Sequence, residues 1–258
     1  MAKSLLVYNV LFCVLINFAI AAPPSTKKLV FNLCKKSDPN FDQCFKNSLQ
    51  SVIPDLDKGY SKLRIPPLEP FQFPSLEIAE GKGSNKAVSI DLKMKDVKIH
   101  GISSIFIDSL KVDLDNYKLT AKVSFKKPIE IISQYTINGK ILVLPIVGTG
   151  PCKIVLKEPR LELNDLTATP YEKHGKTFIK FPKINLKIVD IKYLTINFEN
   201  LFNGDKQLGN NMNKVLNENW PVLLEELKSA FEEAIGAIIQ DVLNKTLQTV
   251  PYADIAIQ

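Results

Sequence analysis

Between Ala87 and Leu201 apolar and polar residues alternate at a period of two, and this strand-rich block runs into one amphipathic helical stretch, Asn211 to Thr249. The first pattern puts one side of each strand in a core and the other in water; the second marks a helix with one apolar face. Many strands without helical crossovers, followed by a helix, predict an antiparallel sheet and an α+β fold. The helical stretch carries a broad apolar stripe that includes Leu216, Trp220, Leu223, Leu227, Phe231 and Ile235. Its other side bears Glu225, Lys228, Glu232, Glu233, Gln240, Asp241, Asn244 and Lys245. At about 1.5 Å per residue it spans roughly 55 Å, with Pro221 as the place for a kink or restart. So long a stripe needs one long apolar partner. A strongly curved sheet wrapped around the helix supplies it, whereas a coiled-coil seam would be narrower and would keep its heptads.

Within the strand block, Val88, Ile90, Leu92 and Met94 share a face, and the phase slips by one residue before Val97 and Ile99, the mark of a bulge. Asn138-Gly139 reads as a hairpin turn. Upstream, Phe41, Cys44, Phe45, Leu49 and Val52 recur at helical spacing and predict a short N-terminal helix over Pro39 to Val52, with Asp38 as N-cap. The proline-rich stretch from Pro54 to Pro74 reads as an extended surface arm.

Residues 1–21 have the form of a cleaved secretory signal: Lys3, an apolar run from Leu5 to Ile20, and Ala19 and Ala21 at the spacing a signal peptidase accepts. Asn9 and Asn17 interrupt the run and no basic flank follows, which argues against an anchor. Residues 22–258 then form a single domain in an extracellular setting. The formal charge of +6 is mild for 258 residues, and lysines such as Lys93, Lys95, Lys183 and Lys187 sit at alternate strand positions. They suit a solvated sheet face, not a nucleic-acid interface, which clusters charge with stacking aromatics or groove-reading helices.

Cys34 and Cys44 lie ten residues apart. A bridge between them would pin the incoming arm to the first helix and stabilise it by roughly 3 kcal/mol. Zinc is the alternative for two close cysteines, but no His or third Cys is near, and an oxidising compartment favours the bridge. Cys152 is left without a partner and reads as a buried free thiol. Catalysis has little to stand on. His100 and His174 are the two histidines, no nucleophile elbow or zinc-protease motif is present, Gly148-Thr149-Gly150 reads as a turn, and Asp113 and Asp115 as solvated. No cofactor is expected.

Cys34–Cys44 (CKKSDPNFDQC), Leu49–Leu76, Asp96–Ile107 (DVKIHGISSIFI), Ile137–Leu156 (INGKILVLPIVGTGPCKIVL), Leu216–Leu227 (LNENWPVLLEEL) and Val250–Ile255 (VPYADI) occur in the order seen in the Takeout and haemolymph juvenile hormone binding protein family of insects. The chain resembles that family over essentially all of its mature length. The resemblance implies a long helix wrapped by a curved antiparallel sheet, as in one half of the bactericidal/permeability-increasing proteins, around an apolar tunnel for a small lipophile. It implies carriage without catalysis, by a secreted monomer whose membrane contact is at most transient, and it matches Cys34 and Cys44 to the family's N-terminal disulfide. Hormone carriers of the family have a second bridge, for which Cys152 has no partner, so the likeness is to the Takeout branch. Feeding, circadian and chemosensory roles are all associated with members of the family.

A ligand of about 15 to 30 carbons would bury on the order of 400 to 700 Å², worth roughly 10 to 17 kcal/mol before ordering costs. Bulky inward-phase residues are the candidates for its walls: Phe125, Ile131, Tyr135, Leu142, Leu144, Phe198, Trp220 and Phe231, with the Tyr135 hydroxyl as partner for an ester or carbonyl head. Asn244-Lys245-Thr246 is a glycosylation sequon if that side of the helix is exposed. A membrane-surface lipid-transfer protein is the alternative function, distinguished by vesicle binding that vanishes at moderate salt.

Overall fold

The structure, a computed structural model, describes residues 29–80, 88–142 and 144–256; the signal segment lies outside the described residues. The chain opens with an arm bound by the Cys34–Cys44 disulfide to helix α1 (Phe41–Val52). The Asp38 carboxylate accepts the Asn40 N–H at 2.8 Å in the turn ahead of the helix, so Asn40, not Asp38, holds the N-cap position and Pro39 stays outside. The stretch expected to be an extended arm instead folds into two short 3₁₀ turns, Ile53–Leu56 and Ser61–Leu63, and enters strand β1 (Phe71–Glu80) with Pro74 inside it. Pro74 is tolerated because β1 is an edge strand, with one side free of ladder bonds.

The strands that follow are β2 (Val88–His100), β3 (Ile105–Asp113), β4 (Lys118–Phe125), β5 (Ile129–Ile141), β6 (Leu144–Lys157), β7 (Arg160–Thr167), β8 (Thr169–Lys173), β9 (Lys176–Lys180), β10 (Leu186–Asp190) and β11 (Tyr193–Phe198). They form a five-stranded sheet, β1-β2-β5-β6-β11, a four-stranded sheet, β10-β7-β4-β3, and the hairpin β8-β9, with every pairing antiparallel. The two larger sheets adjoin at a corner where β6 runs on into β7 and β10 into β11. There the Lys192 N–H donates to the Lys157 carbonyl at 3.1 Å.

The bulge read from the phase slip in β2 is present: the β2–β5 register shifts between Lys95 and Lys98, and Asp96 takes a φ of 52°. The hairpin expected at Asn138-Gly139 is not. Both residues lie inside β5, and the turn falls after Ile141, which pairs with Leu144. Gly139 is needed for a different reason. A Cβ there would stand 2.1 Å from the Ser89 carbonyl oxygen, so the glycine lets β2 come close.

The terminal helical stretch is two helices, α2 (Lys206–Glu218) and α3 (Trp220–Leu247). Asn219, at φ −113° and ψ 13°, separates them, and Pro221 sits in the first turn of α3, where no N–H partner is lost. Its 28 residues make α3 about 42 Å long. Leu223 and Leu227 enter the main core with Ile90, Leu92, Met94 and Ile137, while Ile235, Ile239 and Leu243 cover a second cluster around Leu166, Ile179 and Ile184. Gly236 permits this approach: a Cβ would stand 3.0 Å from the Ile184 carbonyl oxygen.

Part of the helical polar side faces the protein, not water. Asn217 accepts the Ile196 N–H at 2.8 Å and donates to the Ile196 carbonyl at 2.7 Å; Asn213 does the same for Phe198, at 2.9 and 2.8 Å. Residues four apart on a helix and two apart on a strand edge have similar spacings, so α2 takes the place of a neighbouring strand along the edge of β11. Asn244 holds Phe181 in the same two-point way, at 2.8 and 2.9 Å. A glycan on its Nδ2 would have to break the bond to the Phe181 carbonyl. Glu232, 7% exposed, accepts the Ile188 N–H at 2.9 Å and pairs with Lys187 at 3.1 Å.

Cys152 is 3% exposed, with the Ser133 hydroxyl 3.1 Å from its sulfur. Burial pushes its thiol above the ordinary value of 9.0. Of Cys34, Cys44 and Cys152, alkylation of the folded protein at pH 8 should label none within minutes, denaturation without reductant should expose one, and reduction all three. Rapid labelling of the native protein would show that Cys152 is accessible.

Candidate ligand cavity

The side of the five-stranded sheet that faces α3 and the facing side of α3 carry mainly branched aliphatic residues, which meet without filling the space between them. A cavity of about 130 Å³ remains. Its sheet wall comes from β2, β5, β6 and β11, through Leu92, Ile137, Ile154 and Ile196 among others; its helix wall comes from Leu223, Leu227, Phe231 and Ile235; Ile188 and Ile191 close one side. Every lining residue is isoleucine, leucine or phenylalanine. A dry apolar cavity of about 150 Å³ holds a benzene molecule, so this one takes roughly five or six carbons as it stands. A longer ligand must push side chains aside.

The wall offers no hydrogen bond. A hydroxyl or carbonyl placed there would forfeit its water partners at a cost of about 1–3 kcal/mol. The arrangement therefore holds hydrocarbon and disfavours a buried polar group.

Of the residues expected along the walls, Ile131, Phe198 and Phe231 line this cavity. Tyr135 does not. It is 1% exposed, its hydroxyl donates to the Glu199 carbonyl at 2.7 Å, and burial above all pushes its pKa up to about 12. Its ring lies 4.4 Å from that of Phe198, so it supports the wall from behind and has no free donor for a ligand head. Trp220 stands outside the wall, edge-on to Tyr193 at 6.4 Å and packed with the cluster that includes Leu224 and Phe231. Leu142 takes a φ of 56° beside the β5–β6 turn and packs on the main core. Leu144, expected mid-sheet, is 39% exposed because the turn falls next to it. Phe125 is buried at the end of β4 beside a separate, polar cleft.

Sequence reasoning did not single out Ile188, Ile191, Leu223 or Leu227 as wall residues. The period-two phase and the helical stripe marked three of them as inward, but inward phase does not say which inward residues meet a partner and which meet a gap. Neither histidine is set up as a base for Cys152. His100 Nδ1 lies 4.0 Å from Glu69, His174 occupies the β8–β9 turn, and a raised thiol pKa is the reverse of what a nucleophile requires.

The model of the haemolymph juvenile hormone binding protein (JHBP) family matches residues 11–257. The circadian clock-controlled protein daywake of Drosophila melanogaster is 27% identical over 231 residues, covering 85% of this chain and 84% of that protein. The putative beta-carotene-binding protein of Schistocerca gregaria is 24% identical over 152 residues, covering 59% of this chain and 58% of that one. In fold, the crystal structure of Epiphyas postvittana Takeout 1 is similar, with a TM-score of 0.68, 24% sequence identity, and coverage of 88% of this chain and 99% of that chain.

Proposed function

Since this chain belongs to the haemolymph juvenile hormone binding protein family, which includes the Takeout proteins, and is thus a non-catalytic protein that binds hydrophobic ligands, we propose that it carries a hydrocarbon-rich lipophile through extracellular fluid. The observation that carries this reading is the cavity between α3 and the five-stranded sheet, walled only by isoleucine, leucine and phenylalanine. At about 0.8 kcal/mol per buried methylene, five or six carbons contribute roughly 4–5 kcal/mol before association costs, and each further carbon accommodated by side-chain movement adds to it. The Schistocerca relative is named for beta-carotene, a pure hydrocarbon, and that chemistry agrees with a wall that cannot satisfy a polar group. Residues 1–21 are proposed as the export signal and residues 22–258 as one ligand-binding domain; the Cys34–Cys44 bridge supports an oxidising destination.

The test is lipid extraction and mass spectrometry of the protein purified from the medium of secreting insect cells, followed by rebinding after delipidation. A hydrocarbon-rich lipid should copurify and an apolar fluorescent probe should rebind. Failure of the delipidated, folded protein to bind any apolar probe would overturn the carrier reading.

A further inference from the structure

We propose that the polar cleft at the corner between the two larger sheets receives the carboxylate of an anionic amphiphile whose hydrocarbon chain lies in the cavity, an inference that rests on the carrier reading above. The cleft, of about 540 Å³, is lined by Ser124, Phe125 and Lys126 at the end of β4, with Glu158, Arg160, Asp190 and Lys192. Its position follows from the strand paths. Leu156, Ile188 and Ile191 face the cavity, while Glu158, Asp190 and Lys192, one or two residues further along the same segments, face the cleft. Apolar wall and charged rim are therefore built by the same short stretches of backbone.

This corner is also where the sheet framework is least continuous. The five-stranded and four-stranded sheets share no ladder here, the β10–β7 register shifts between Ile188 and Asp190, and Glu158 takes a φ of 49°. Opening an end of the cavity here would part no continuous ladder.

The charges favour an anion. Arg160 pairs with Asp190 at 2.6 Å and Lys192 with Glu158 at 2.6 Å, which leaves the Lys126 ammonium, 4.0 Å above the Phe106 ring, as the cation in excess among the lining residues, while the neighbouring Asp108 carboxylate is engaged by the Ser124 hydroxyl at 3.0 Å. One carboxylate beside Lys126 makes the charge of the lining residues neutral, and Phe125 lines the same cleft. Because the cavity wall has no polar partner, an amphiphile's head must lie outside it, and this cleft is the charged surface adjoining that wall.

Dodecanoate and dodecan-1-ol, which share a chain and differ in head, test the assignment when titrated into the delipidated full chain at pH 7.5 and low salt. The single tryptophan, Trp220, packs on wall residues and reports occupancy. Dodecanoate should bind about two- to fivefold tighter, the scale of an exposed ion pair, and 0.5 M NaCl should shrink the difference. Lys126→Gln, at an exposed position, should abolish the preference while leaving dodecanol affinity unchanged. Equal affinities in the wild type, or a preference that survives both Lys126→Gln and Arg160→Gln, would overturn the cleft assignment and leave the carrier reading standing. If neither compound binds, both fall.

Discussion

Replacing Asn213 and Asn217 together by leucine should lower the melting temperature by on the order of 10 °C, although both side chains lie on helix α2 and touch no ligand. The two carboxamides supply the partners of four backbone groups, the N–H and carbonyl of Ile196 and of Phe198, along the outer edge of β11. Leucine leaves those groups facing an apolar helix with water only partly admitted. At about 1 kcal/mol for each lost bond, the double variant should be destabilised by roughly 3–5 kcal/mol, and a chain of this length loses about 2–4 °C per kcal/mol. The single variants should each show about half the effect. Urea and thermal melts of the three variants check this; a double variant within 2 °C of the wild type would mean that the edge is held by packing alone. Because Ile196 and Phe198 also line the cavity, the double variant should release a bound apolar probe faster than the wild type.

Filling the cavity should uncouple binding from stability. Ile131→Trp from the sheet and Leu227→Trp from the helix each project added bulk into about 130 Å³ of space, so each should weaken an alkyl fluorescent probe by tenfold or more. The melting temperature of the ligand-free protein should change by no more than about 3 °C. In a solidly packed core the same substitutions would cost about 1–3 kcal/mol or more through overpacking. Leu144→Trp serves as the contrast: at 39% exposure beside the β5–β6 turn, it should alter neither property. Large losses of stability with unchanged probe affinity in both cavity variants would place the ligand elsewhere.

How far such sites can be anticipated differs by kind of residue. The bulge near Asp96 was legible because a one-residue slip of an alternating pattern has a single geometric meaning. Asn138-Gly139 misled because the same pair that favours a tight turn also suits a strand where a neighbour comes close, and the pattern does not show the neighbour. Moving the turn by a few residues took Leu144 from mid-sheet to a hairpin end. Tyr135 was correctly inward, but its hydroxyl found the Glu199 carbonyl, 64 positions away, a pairing that no local window contains. The exposure of the helical polar stripe was left open; Asn213, Asn217 and Asn244, poor helix formers within α2 and α3, were the available hint that part of it faces the protein.

The amino-acid order by itself determined the α+β class, the antiparallel strands, the phase of their buried faces, the place near Trp220-Pro221 where the helix kinks or restarts, and the preference for a bridge between Cys34 and Cys44. These depend on hydrophobic periodicity, on proline's missing donor and on short-range loop closure, all of which act over a few residues. Only the tertiary structure decided the division into separate sheets, the clamps from α2 and α3 onto strand edges, and the position of the cavity and the charged cleft beside it. A cavity is the difference between the volume enclosed by distant elements and the volume of the side chains filling it, so no single segment encodes it.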